Sequence, residues 1–71
     1  KTAVLIFLKN LAAPLVLYFD NPHEIYEEIK EVINTPSNKV FEFLPNGPIK
    51  KVCVSASQIS SVAIQEEQYF A

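Results

Sequence analysis

One stretch of this chain, residues 20–34, has the periodicity of an amphipathic helix, and the segments on both sides of it have the composition of strands. Apolar residues recur at Ile25, Ile29, Val32 and Ile33, which is the spacing of one face of an α-helix. The charged residues between them fall on the opposite face. The pattern therefore predicts a single helix whose apolar stripe packs on the core and whose acidic face meets solvent.

Both ends of this helix carry recognisable signals. Asn21 is a favourable N-cap residue, and Pro22 falls at the first helical position, where a missing N–H costs nothing. Glu24, three residues after Asn21, completes an approximate capping box. At the other end, we expect Asn34 to close the helix in a left-handed conformation and Pro36 to prevent its continuation.

The remaining apolar segments, which are rich in β-branched and aromatic residues, are predicted to be strands. They cover residues 3–9, 15–19, 39–44, 49–54 and 59–65. The order β-β-α-β-β-β predicts an α+β fold in which one helix packs on a mainly antiparallel sheet. A strongly bent five-stranded sheet could also close into a small barrel, and the sequence leaves both architectures open. We expect residues 1–71 to form a single small domain.

The strongest turn signal lies between the third and fourth predicted strands. Residues 45–48 contain the only glycine of the chain. The pair Asn46-Gly47 can supply the positive φ angles of a hairpin turn. We therefore expect a hairpin turn at this pair.

Charge and cysteine content limit the classes of function. The net charge is −2, which gives no electrostatic attraction to nucleic acid or to an anionic membrane. The apolar run near the N-terminus is interrupted at Lys9, so it is too short for a transmembrane helix. Cys53 is the only cysteine, which excludes an internal disulfide, favours a reducing compartment and leads us to expect a cytoplasmic protein.

Two pairs of residues have some resemblance to a reactive site. Cys53 with His23 could be a nucleophile and its base, but Cys53 lies within a predicted strand, where cysteine usually behaves as a small apolar residue. His23 and Glu27 are four residues apart on one helix face, yet a metal site usually needs three or four ligands. We therefore expect no catalytic residues, no metal and no cofactor. No motif identifies a family.

The first two predicted strands are apolar on both faces, which a solitary monomer with one helix does not explain. Alternate residues of a strand point to opposite sides of a sheet, and one short helix covers only one side. The other side is then buried by barrel closure, by the C-terminal residues or by a second copy. The favoured function is a small non-enzymatic interaction module that acts as a homo-oligomer, by default a dimer. A different protein is a second candidate partner. The predicted interface residues are Leu5, Phe7, Val16, Tyr18, Tyr69 and Phe70.

A second hypothesis is a small barrel of the Sm or SH3-like kind that binds single-stranded nucleic acid. Such sheets place aromatic rings beside basic residues, so that bases stack while phosphates are neutralised. The residues with this pattern are Lys39, Phe41, Phe43, Lys50 and Lys51. The acidic balance of the chain opposes phosphate binding, and the phenylalanines could instead fill the core beneath the helix.

Overall fold

A computed structural model describes residues 1–35 and 37–66 of the chain. The elements follow the predicted order β-β-α-β-β-β, with a short 3-10 turn before the last strand. Their bounds are β1 Thr2–Leu8, β2 Leu15–Tyr18, α1 Pro22–Asn34, β3 Val40–Phe43, β4 Val52–Ser55, the 3-10 turn Ala56–Gln58 and β5 Ile59–Glu66.

The α+β fold with one helix on antiparallel sheets is confirmed, whereas the closed barrel is wrong. The strands form a three-stranded sheet in the order β2-β1-β5 and a separate two-stranded sheet of β3 and β4, with every pair antiparallel. A barrel needs a continuous ladder of hydrogen bonds around the whole sheet. In the described part of the chain, the only bridge outside the named strands joins Tyr18 to Asn46. The edges of the two sheets therefore do not join into a ring.

The core lies between one face of the three-stranded sheet, the helix and the two-stranded sheet. Its buried side chains are Val4, Ile6, Leu17, Ile29, Phe43, Val54 and Ile59. The predicted helix stripe contributes unevenly to this core. Ile29 is fully buried and Ile25 packs against the core margin, whereas Ile33 is 37% exposed. The N-terminal part of the stripe therefore makes the main contact with the sheet.

A β-bulge in β5 turns both Ile59 and Val62, which are three residues apart, toward the core side of the sheet. In the pairing of β1 with β5, Phe7 pairs with Ser61 and Ser60 is skipped. The Ser60 hydroxyl donates a hydrogen bond to the backbone oxygen of Phe7 over 3.0 Å. Strict alternation would place Ile59 and Val62 on opposite faces, so the bulge is what allows both to contact the core.

The helix begins where predicted, but the predicted capping box is wrong. The backbone oxygen of Asn21 accepts a hydrogen bond from the Ile25 N–H at 3.2 Å. The Asn21 side chain makes no bond to the backbone of the first turn. Its amide donates instead to the Glu24 carboxylate at 2.9 Å. The two polar side chains of the expected box bond to each other, so neither reaches a free N–H.

The end of the helix also differs from the prediction. Asn34 is the last helical residue, and it is not left-handed, because the positive φ angles among the described residues occur at Asn10 and Gly47. Thr35 follows in an extended conformation, and its N–H donates to the Glu31 oxygen at 2.9 Å. This backbone hydrogen bond therefore ends the helix in place of the left-handed C-terminal residue that asparagine often provides.

Replacing Asn21 with alanine tests the corrected description of the cap. Because the side chain makes no bond to a first-turn amide, we expect Asn21→Ala to reduce the free energy of unfolding by less than about 0.5 kcal/mol, the scale of a surface substitution. Urea denaturation followed by circular dichroism measures this change. A loss of about 1 kcal/mol, typical of a removed side-chain cap, would show that the side chain does cap the helix in solution.

The connection between β3 and β4 covers residues 44–51 and is longer than the predicted turn at residues 45–48. Asn46 pairs with β2, since its N–H donates to the Tyr18 oxygen at 2.7 Å. Its side-chain amide donates to the Asp20 carboxylate at 2.9 Å. Gly47 has the expected positive φ, at +91°. The turn residues therefore bind a distant strand as well as reversing the chain.

Gly47 occupies a conformation that a side chain destabilises. A β-carbon added to Gly47 would lie 3.2 Å from the Cδ2 atom of Tyr18, on a backbone with positive φ. We expect Gly47→Ala to lower the free energy of unfolding by about 1–2 kcal/mol, because the left-handed backbone disfavours alanine. Chemical denaturation checks this value. An unchanged denaturation midpoint would mean that the loop moves to a negative φ without cost.

Candidate functional site

The face of the three-stranded sheet that lies away from α1 presents apolar side chains from all three strands. The register places Leu5 between Val16 of β2 and Ala63 of β5. Because alternate residues point to opposite faces, these side chains lie opposite the core residues Val4 and Ile6. We call this surface the open face. Its members are Ala3, Leu5, Phe7, Val16, Tyr18, Ser61, Ala63 and Gln65.

The open face is partly exposed and carries no formal charge at neutral pH. Val16 is 39% exposed, and Leu5, Phe7 and Tyr18 are half-buried. None of these four side chains belongs to the buried core cluster or packs against it. At the margin, the Nζ atom of Lys1 lies 4.3 Å from the centroid of the Tyr18 ring, a cation–π distance. The face therefore combines apolar area with a basic residue at its border.

Four of the six residues predicted as an interface lie together on the open face: Leu5, Phe7, Val16 and Tyr18. The other two, Tyr69 and Phe70, lie outside the described residues. Sequence reasoning missed the contribution of β5, above all Ala63, which pairs with Leu5. Alternation along β5 could have placed Ala63 on the side opposite Val62. Its position beside β1 depends on a long-range pairing that no local signal reveals.

The residues of the nucleic-acid hypothesis do not form one exposed surface. Phe43 is 5% exposed and belongs to the core. Its ring meets Phe19 in a T-shaped contact with centroids 5.8 Å apart, and Phe41 stacks parallel to it at 5.6 Å. Lys50 and Lys51 are exposed in the connection before β4. The ring surface that a base would need on Phe43 is therefore occupied by other phenylalanines.

Lys39 and Phe41 instead border an open groove between α1 and β3, with a volume of about 830 Å³. We call it the helix–strand groove. It is lined by Glu27, Glu28, Glu31, Val32, Thr35, Ser37, Lys39 and Phe41. The three glutamates are exposed, as predicted for the acidic helix face. The sequence did not predict that β3 lies beside these glutamates.

Cys53 is exposed on β4, where it pairs with Glu42, and His23 is exposed in the first turn of α1. Within residues 1–35 and 37–66, no three side chains of His, Cys, Asp or Glu are grouped so that they could hold a metal ion. None of the helices in the described ranges has the length and apolarity needed to cross a membrane. The two surfaces with a defined chemistry are the open face and the helix–strand groove.

No protein-family model, curated protein or solved structure matches this chain. The function of the chain is therefore inferred from the geometry and chemistry of these surfaces.

Proposed function

We propose that this chain is a small non-enzymatic interaction module that acts as a homodimer through the open face. The observation that carries the proposal is a sheet surface opposite α1 whose larger apolar side chains, Leu5, Phe7, Val16 and Tyr18, lie outside the buried core. Removing apolar surface from water is favourable by roughly 25 cal/mol of free energy for each Å². A second copy supplies a surface of equal size and chemistry, and a two-fold axis makes the contact symmetrical.

The absence of charge on the open face favours a partner identical to itself. A two-fold axis places the same surface on both sides of the contact, so a face that carried charges of one sign would repel its copy. The eight residues of the open face include no Asp, Glu, Lys or Arg. The glutamates of α1 belong to the helix on the other side of the sheet. No like charges among the eight residues of the open face therefore oppose contact with a second copy.

The edges of the three-stranded sheet support association in the same region. β5 pairs with β1 on one side only within this sheet, whereas the outer edge of β2 is bridged by Asn46 at Tyr18. Edge strands carry unpaired backbone groups, which proteins often protect with lysine or proline. β5, with the sequence ISSVAIQE, has neither residue. Pairing along an edge would add backbone hydrogen bonds to the apolar contact.

The proposal includes a reducing compartment, for which the cytoplasm is the simplest case. Cys53 is exposed and has no disulfide partner in the described chain, and free thiols persist where glutathione keeps them reduced. Nucleic-acid binding is disfavoured, because Phe43 is buried and the net charge of −2 opposes contact with phosphates.

Introducing a charge on the open face tests the dimer. Light scattering at micromolar concentration should give the unmodified chain twice its 8.0 kDa mass. Val16 is 39% exposed, so a longer polar side chain fits there without entering the core. We expect Val16→Glu to give the monomer mass, because two carboxylates would be desolvated in one apolar interface. Circular dichroism should show an unchanged fold.

Val40→Glu is the matched control, because it makes the same substitution at a strand residue outside the open face. Val40 lies on β3 and is 63% exposed. We expect this variant to retain the dimer mass. A monomer mass for the unmodified chain, or dissociation by Val40→Glu but not by Val16→Glu, would contradict the proposed interface.

A further inference from the structure

The helix–strand groove has carboxylates on one side and an aromatic ring on the other. Glu27, Glu28 and Glu31 line it from α1, together with the apolar side chain of Val32, and Phe41 lines it from β3. None of these residues belongs to the open face. The groove is therefore a separate surface, and what it binds does not depend on the proposed dimer.

The charges along the groove do not neutralise one another. Glu27 pairs with Lys30 at 3.9 Å, but both side chains are more than half exposed, and such a pair contributes little. Among the described residues, Glu28 and Glu31 form no ion pair. Of the described residues that line the groove, Lys39 is the only basic one. The lining therefore presents three negative charges against one positive charge.

Phe41 adds a second feature that favours a cation. One face of its ring is covered by Phe43, which lies parallel with centroids 5.6 Å apart. The ring is half-buried, packs in part against the core and borders the groove. Aromatic faces attract ammonium and guanidinium groups, guanidinium more often because it also stacks flat on the ring. A basic side chain in the groove would thus meet both a ring and carboxylates.

The dimensions of the groove suit a peptide segment better than a single side chain. The helical residues that line it extend from Glu27 to Val32, which is about 8 Å at the rise of an α-helix, and Thr35 continues the wall just past the end of α1. An extended chain covers the helical part with about two or three residues. The volume of about 830 Å³ is also far larger than one guanidinium group requires.

We propose that the helix–strand groove docks a short basic, amphipathic segment of a partner protein. An arginine or lysine of that segment lies over Phe41 and faces the carboxylates of Glu28 and Glu31. An apolar residue of the same segment packs on Val32. Charge complementarity is the reason for assigning a basic occupant rather than an acidic or purely apolar one.

A nuclear magnetic resonance titration tests this assignment. The probe is a blocked synthetic hexapeptide of alternating arginine and leucine, added to the isotopically labelled chain, with a glutamate–leucine hexapeptide as the control ligand. We expect saturable shifts at the backbone amides of Glu28, Glu31 and Phe41, weakening as salt is added. The glutamate peptide should produce none of them.

Two charge reversals of equal size separate the groove from the rest of the surface. We expect Glu31→Lys to weaken binding of the arginine peptide about tenfold, because it replaces an attraction with a repulsion. Glu42→Lys makes the same change at an exposed residue of β3 that does not line the groove. It should change the affinity less than about twofold. Glu28→Gln, which keeps the side-chain shape, should weaken binding in the same direction as Glu31→Lys.

Three results would overturn the proposal. One is the absence of saturable shifts at millimolar peptide, and another is an equal loss of affinity in Glu31→Lys and Glu42→Lys. The third is a set of shifts at the groove that appears without peptide as the protein concentration rises and that disappears in Lys50→Glu/Lys51→Glu. That result would make a second copy of the chain the occupant.

Discussion

Replacing Ile29 with alanine is expected to lower the free energy of unfolding by about 2–5 kcal/mol, the range for truncating a buried aliphatic side chain. Ile29 is 0% exposed and is the buried residue through which α1 enters the core. A chain of 71 residues has a total stability of roughly 4–11 kcal/mol. The truncation therefore removes a large part of the stability, and urea denaturation at low temperature is the suitable measurement.

Two related substitutions make this result specific. Ile29→Val removes less volume and should cost about 0.5–1.5 kcal/mol, which stays measurable if the alanine variant is largely unfolded. Ile33→Ala makes the same change as Ile29→Ala in the same stripe, but Ile33 is 37% exposed, so we expect a loss below about 1 kcal/mol. Equal losses at Ile29 and Ile33 would mean that α1 does not pack on the sheet through Ile29.

Replacing Phe43 with alanine is the second substitution with a large expected effect, about 3–5 kcal/mol. Phe43 is 5% exposed and joins the two-stranded sheet to the rest of the core. It also makes ring contacts with Phe19 and Phe41, each of which adds about 0.5–1.5 kcal/mol beyond the buried area. Thermal and chemical denaturation should both show the loss.

The neighbouring residue provides the control for Phe43. Glu42 precedes it on β3, is exposed, and pairs with Cys53 on the side away from the core. Glu42→Ala should change the free energy of unfolding by no more than about 0.5 kcal/mol. If Phe43→Ala were as stable as the unmodified chain but lost affinity for a single-stranded oligonucleotide, Phe43 would be a stacking residue rather than a core residue.

The elements of this fold could be predicted because each one has a repeated local pattern. The spacing of Ile25 and Ile29 indicates a helix wherever the rest of the chain lies, and the alternation of Phe41 and Phe43 with exposed residues indicates a strand with one buried side. Such patterns also identify which residues share a face. Leu5 and Phe7, for example, were predicted together and lie together on the open face.

The capping prediction failed because a polar group had a choice of partners. The Asn21 side chain bonds to the Glu24 carboxylate rather than to the backbone. For the same reason the sequence did not predict that Asn46 bonds to Asp20 and Tyr18 across a long separation in sequence. Hydrogen bonds to alternative partners differ by only about 0.5–1.5 kcal/mol in net stability. Propensity alone therefore could not decide between them.

By itself, the sequence determined the number and order of the strands, the position of the α-helix among them and the two-sided apolar character of β1 and β2, because these depend on residues within a few positions of one another. Only the tertiary structure decided that the strands form two sheets and not a barrel, that Ser60 is bulged against Phe7, and that the glutamates of α1 border Phe41. These features join residues far apart in the chain. The free energy of these long-range contacts depends on which surfaces pack together, and local periodicity does not indicate which ones do.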